Sequence, residues 1–170
     1  TYTGRIERYV ETMSKVQNLE QLQPEKITVS AADLNVDMKK VLGFAVAESG
    51  KQLDYHGLPD TIKLTMDKEM LFQITENLTA NALRFAKQVV SVIFSVEDDY
   101  LKLVIADDGC GFPMELLENG NRPFHKGTEE ADHFGMGLYI CDLLCCKHGG
   151  SLKIANNATG AIACVFLKIS

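Results

Sequence analysis

The sequence predicts a two-layer α/β domain, with helices covering one face of a mixed β-sheet, and three observations carry that expectation. Some segments place an apolar residue at every second position: Ile62, Leu64 and Met66 alternate with Thr61, Lys63 and Thr65. Others have helical spacing: Leu34, Met38, Val41, Leu42 and Ala45 share one face behind a Ser30-Ala31-Ala32-Asp33 capping box. The two kinds alternate along the chain instead of segregating, as layered α/β structures require.

Taken in order, residues 1–24 form the first unit, and residues 25–170 the second. In the first, Tyr2, Ile6, Tyr9, Met13 and Val16 make a narrow apolar seam among Arg5, Glu7, Arg8, Glu11 and Lys15, a coiled-coil pattern. The seam slips at Leu19 and Leu22, and Pro24 stops the helix. Two readings stay open: the end of a dimerising helix, or a helix packed on its own domain. Residues 26–29 then read as a short strand, and Gly50 ends the helix that follows. His56 falls beside Gly57-Leu58-Pro59 and reads as a turn. Asp67 caps a long helix reaching about Phe85. Residues 89–96 and 100–106 are strands joined at Glu97-Asp98-Asp99. Residues 112–134 hold no period and read as one long loop. Residues 137–148 form a helix that is apolar nearly all round, ended by Gly149-Gly150. Residues 152–155 and 162–169 close the fold as strands around Gly160.

The 170 residues are 46% hydrophobic and 24% charged, in keeping with one globular domain. A net charge of −6, with Lys and Arg dispersed, argues against a nucleic-acid partner. No apolar run is long enough to span a bilayer and no signal-peptide pattern is present, so no membrane contact is expected of this stretch. A chain beginning Thr1-Tyr2-Thr3 looks like a piece of a longer protein, which could be anchored in a membrane elsewhere. The five cysteines, Cys110, Cys141, Cys145, Cys146 and Cys164, form no Cys-x-x-Cys pair and read as reduced thiols of a cytoplasmic protein. Cys141, Cys145 and His148 share a helix face, so a metal site there is the alternative to core packing.

Three clusters bear chemistry. Asn77 and Asn81, four apart, project from one helix face. A carboxamide oxygen is a hard neutral ligand that suits magnesium, and Arg84 lies one turn on, where it could meet a phosphate. Asp107-Asp108-Gly109-Cys110-Gly111-Phe112 follows a strand; a carboxylate at a strand end can accept from an exocyclic amine, and glycines admit a planar ring. The competing reading is an acidic turn. His133-Phe134-Gly135-Met136-Gly137-Leu138 opens the apolar helix, where free amides could cradle phosphate. It matches neither the dinucleotide fingerprint, since Ile140 stands where glycine is needed, nor a P-loop.

The order and spacing of the three clusters, ending in His148-Gly149-Gly150, resemble the catalytic ATP-binding domain of bacterial sensor histidine kinases, in the GHKL superfamily. The resemblance covers residues 25–170 and implies the Bergerat-type two-layer fold: a mixed five-stranded sheet packed on three helices, with a long ATP lid. It implies ATP and Mg2+ as cofactors, with Asn81 on the metal, Asn77 and Arg84 by the phosphates, and Asp107 on the adenine amine. Gly109, Gly111 and Phe112 would shape the base pocket. Gly135, Met136, Gly137 and Leu138 would lie under the phosphates, and Phe124 would match the family's phenylalanine box. Partners implied are a cognate response regulator and the protein's own dimerisation and phosphoacceptor domain, in a homodimer.

The chain departs from the family pattern at Arg84-Phe85, where Lys-Tyr is usual, and at Glu129 to His133, which lack a glycine-rich lid segment. ATP hydrolases of the superfamily place a general-base Glu where this chain has Asn77, and an amide takes no proton from water. Kinase activity on histidine is therefore expected, with a serine kinase of the anti-sigma-factor type or a non-catalytic nucleotide-binding scaffold as alternatives. None of His56, His125, His133 and His148 lies on the first helix, so the phosphoacceptor is expected upstream of Thr1.

Overall fold

The computed structural model describes residues 2–119 and 129–169. Along the chain run α1 (Tyr2–Glu20), β1 (Ile27–Ser30), α2 (Ala31–Ser49), β2 (Gln52–His56), β3 (Lys63–Met66) and α3 (Lys68–Phe85). Then come β4 (Val89–Glu97), β5 (Tyr100–Asp107), α4 (Met114–Asn119), α5 (Glu129–Lys147), β6 (Ser151–Asn156) and β7 (Ala161–Lys168).

The expected mixed five-stranded sheet is present, in the order β2-β4-β5-β7-β6. β2 runs parallel to β4 and the other pairings are antiparallel. Its edge strand β2 corrects the turn expected at His56. Only Leu53 and Tyr55 are apolar there, and the other three residues of the strand are exposed, so its alternation is too short to stand out. β1 and β3 make a separate antiparallel pair, Ile27 opposite Met66. Each leads into a helix cap. Ser30 Oγ accepts from Asp33 N–H at 3.4 Å, and Asp67 Oδ1 accepts from Met70 N–H at 3.1 Å.

α2, α3 and α5 cover one face of the five-stranded sheet. Strict alternation in β5 and β7 turns Leu101, Leu103, Ile105, Ala163, Val165 and Leu167 toward them, all buried. From α3, Leu71, Ile74 and Leu78 meet that layer; from α5, Leu138, Cys141 and Leu144 do. Each large side chain so buried stabilises the fold by about 1.5–3 kcal/mol. The C-terminal end of α1 joins this core. Val16 and Leu19 are buried near α5, so Leu19, which looked like a slip in the seam, is an anchor.

The stretch expected to be one loop holds two helical pieces. Pro113 starts α4 and Leu116, 2% exposed, pins it to the core. α5 begins at Glu129, eight residues before the expected start at Gly137. Glu129-Glu130-Ala131-Asp132 explains the extension, since acidic residues and Ala suit a helix N-terminus. Arg122, Pro123, Phe124 and His125 lie outside the described residues. No helix among those described is long and apolar enough to cross a membrane.

Candidate nucleotide-binding site

One pocket opens between α3, α5 and the ends of β5 and β7. Leu78 and Ala82 of α3 form one wall and Leu138 of α5 another, with Ile105, Ala161 and Ala163 of the sheet behind them. Phe112, 8% exposed, completes the lining. Two polar side chains mark it, Asn81 and Asp107. The strand end, the Asn helix and the second glycine cluster, separate in sequence, are thus brought together.

Asp107 is the last residue of β5 and 8% exposed. Its Oδ1 accepts from Gly109 N–H at 2.8 Å and from Ala161 N–H at 3.5 Å. Burial raises its pKa above the usual carboxylate range, against the pull of those two amides and of the Lys51 charge. Lys51 in turn donates from Nζ to the Leu83 carbonyl near the end of α3.

Asp108 points elsewhere and does different work. Its carboxylate accepts from the backbone amides of Lys87, at 2.7 Å, Gln88, at 3.1 Å, and Val89, at 3.3 Å, which holds its pKa below the ordinary value. The turn between α3 and β4 is thereby fastened to the glycine cluster. Gly109 makes the close approach possible, because a Cβ there would lie 2.2 Å from the Phe85 carbonyl oxygen. Gly111 has φ +85°, where side chains are disfavoured. Gly160 sits against the Asp107 backbone, its built Cβ 2.3 Å from that carbonyl oxygen.

At the other end the picture changes. Among the described residues, Nδ2 of Asn81 is buried with no hydrogen-bond partner, whereas the Asn77 amide lies against the Cys141 thiol. A Cβ on Gly137 would lie 3.5 Å from Asn81 Nδ2, so the helix α5 backbone passes close beside that amide. Asn77 and Arg84 do not line the pocket. Asn77 borders a groove between α2 and α3 with Val41, Ala45 and Ala80, and Arg84 is exposed in the last turn of α3. Gly135 and Met136 lie inside helix α5, not at its start, so the expected cradle of free N-terminal amides is not formed there.

The metal alternative at Cys141, Cys145 and His148 is also corrected. Among the described residues no group of His, Cys, Asp and Glu is placed to hold a metal. Burial pushes the Cys141 thiol up to about 12, and His148 Nε2 accepts from Asp67 N–H at 2.9 Å.

Sequence reasoning missed Asp108 as a clasp, Lys51, Gly160 and Asn156. Asn156 Oδ1 accepts from Phe112 N–H at 2.7 Å and its Nδ2 donates to the Phe112 carbonyl at 3.0 Å. Forty-four positions separate the two, and no local pattern announces such a contact.

Residues 66–170 match the family model described as histidine kinase-, DNA gyrase B- and HSP90-like ATPase. Sensor histidine kinase CpxA of Escherichia coli K12 is 29% identical over 157 residues, 90% of this chain and 34% of CpxA. The chain thus spans about a third of the length of that curated relative. The histidine kinase AdeS of Acinetobacter baumannii superposes with a TM-score of 0.70 at 18% identity, over 98% of this chain and 78% of AdeS. ShkA, solved in complex with AMPPNP, superposes with a TM-score of 0.71 at 19% identity, over 88% of this chain and 32% of ShkA. The neighbours share the architecture, and the family match covers well more than half of the chain. The chain belongs to the histidine kinase-, DNA gyrase B- and HSP90-like ATPase family.

Proposed function

We propose that this chain binds magnesium-ATP in the pocket between α3 and α5 and serves as the catalytic domain of a sensor histidine kinase. In this reading the γ-phosphate passes to a histidine outside residues 1–170. The observation that carries it is the pairing of a buried, pocket-facing Asp107 with the orphaned amide of Asn81 in one apolar cleft.

With Oδ1 of Asp107 held by Gly109 and Ala161, Oδ2 is the acceptor assigned to the adenine amine. The ring would lie on Phe112, Ile105 and Ala163. Asn81 fits the metal and phosphate end: its buried nitrogen is a donor without a partner among the described residues, and the oxygen of the same amide is a hard neutral ligand. Magnesium, when bound, would draw charge from the terminal phosphate oxygens. In this reading Asn77 and Arg84 of α3, and Gly135, Met136, Gly137 and Leu138 of α5, would serve the phosphates, although among the described residues only Leu138 of these lines the pocket. Hydrolysis is disfavoured because Glu76, next to Asn77, is exposed on the α2–α3 groove and lacks a place beside the pocket.

Residues 1–24 are assigned to the end of a dimerisation helix that continues into the domain. Ile6 and Val10 are 55% and 56% exposed, a surface a second copy would cover, whereas Val16 and Leu19 belong to the core. A response regulator and the phosphoacceptor helix complete the proposed partners, with the domain in the cytoplasm.

Melting with and without nucleotide tests the pocket. At a hundredfold excess over Kd, magnesium-ATP should add about 2.7 kcal/mol, roughly 5–10 °C in Tm. No shift at millimolar nucleotide would end this reading.

A further inference from the structure

Phe112 forms a wall of the pocket, yet it belongs to no helix or strand. Its position has to be fixed by something other than a ladder. Besides its burial in the core, one contact that does so comes from the end of β6. The Asn156 side-chain amide accepts from Phe112 N–H at 2.7 Å and donates to the Phe112 carbonyl at 3.0 Å. Both backbone groups of one residue are thus gripped by both ends of one amide, in the manner of a bridge between two strands. Gly111 admits the grip, since a Cβ there would stand 2.8 Å from Asn156 Cγ.

We infer that Asn156 is a positioning residue for the adenine nucleotide, holding the Phe112 wall in its binding geometry without touching the ligand. The inference rests on the proposed ATP pocket. Asn156 itself is exposed, so it contributes little to the core, and its two bonds reach nothing but the Phe112 peptide. Releasing that peptide would leave the pocket to be ordered at the moment of binding, which lowers affinity. The loss should fall equally on ATP, ADP and adenosine, because the wall meets the base and not the phosphates.

The test compares Kd for the three ligands, by calorimetry on the whole chain, in Asn156→Ala and Asn156→Asp. Each variant should bind all three about three- to tenfold more weakly at pH 7.5, the factor for one or two net hydrogen bonds. An ionised carboxylate can accept from Phe112 N–H but only repels its carbonyl. A protonated carboxyl can both accept and donate, as the amide does. The deficit of Asn156→Asp relative to wild type should therefore shrink as pH falls through about 4, where an exposed Asp takes up its proton, while that of Asn156→Ala stays constant. A surface residue of merely structural importance would show no such recovery. Should Asn156→Ala fail to fold, the pH profile of Asn156→Asp carries the test alone. Wild-type affinity in both variants, or weakening confined to ATP and ADP, would overturn the inference. Failure of the wild-type chain to bind any of the three would overturn the pocket itself, and the inference with it.

Discussion

The two ends of the pocket are built by opposite means. Around Asp107, each of three polar side chains is held by backbone groups: Gly109 and Ala161 on Asp107 Oδ1, three amides on Asp108, and the Phe112 peptide on Asn156. Around Asn81 the reverse holds: its buried amide nitrogen has no hydrogen-bond partner among the described residues. An unsatisfied buried donor costs about 1–3 kcal/mol, a cost a ligand can remove. The contrast suggests a division of labour, in which the base end is preorganised and supplies affinity while the phosphate end is completed only when phosphate and metal arrive.

If that division is real, substitutions at the two ends should separate binding from transfer. The largest effect is expected at the phosphate end. Asn81→Ala should lower phosphoryl transfer to a histidine acceptor by at least about a hundredfold, while adenosine binds as before. An equal loss of adenosine affinity would show that the two ends are not independent. At the base end, Asp107→Asn exchanges an acceptor-only carboxylate for an amide, removing about 1.5–3 kcal/mol of charge-assisted hydrogen bonding. Kd for ATP and adenosine alike should rise about ten- to hundredfold with Tm little changed. The pH sign follows from burial. Because the Asp107 pKa is raised, the acceptor form is lost at a higher pH than for an ordinary Asp, so wild-type affinity should begin to fall on acidification before pH reaches the usual carboxylate range.

How much of this was written in the sequence depends on the range over which each residue acts. The caps Ser30 and Asp67 and the hairpin of β4 and β5 are local patterns found where the spacing puts them, and Asn81 and Asp107 line one pocket, though Asn77 and Arg84 do not. β2 was hidden because an edge strand with two apolar residues carries almost no alternation. The start of α5 was misplaced because the glycines at 135 and 137 look like a boundary, whereas Glu129-Glu130-Ala131 favours the helix earlier. Asp108 and Asn156 bond backbone groups about twenty and forty-four residues away, partners that no single stretch of sequence contains.

The smallest effect concerns how α3, which carries both asparagines, is held at its start. His148 is 1% exposed, and its Nε2 accepts the Asp67 N–H at 2.9 Å, which requires that nitrogen to be unprotonated. Asp67 also caps α3 through Oδ1, and its Oδ2 accepts from Glu25 N–H at 2.8 Å, so one residue ties helix, imidazole and the segment after α1 together. Burial lowers the His148 pKa, the Lys26 charge adds to the lowering, and Asp67 opposes it. A base whose folded pKa is depressed is protonated more readily when unfolded. Stability from this group is thus present above the ordinary imidazole value and is lost as pH falls through about 6.5 toward the lowered folded value. Wild-type Tm should drop between pH 7 and 5 on this account. Other groups respond to acid as well, and the raised Asp107 does so in the opposite sense, so the useful quantity is the difference from His148→Gln, whose amide can accept from Asp67 without titrating. That variant should show a shallower acid slope, with adenosine affinity at neutral pH unchanged because the base end does not depend on the α3 cap. Parallel slopes in the two proteins would place the acid sensitivity elsewhere, and a loss of adenosine affinity in His148→Gln would mean that the start of α3 and the base end are coupled.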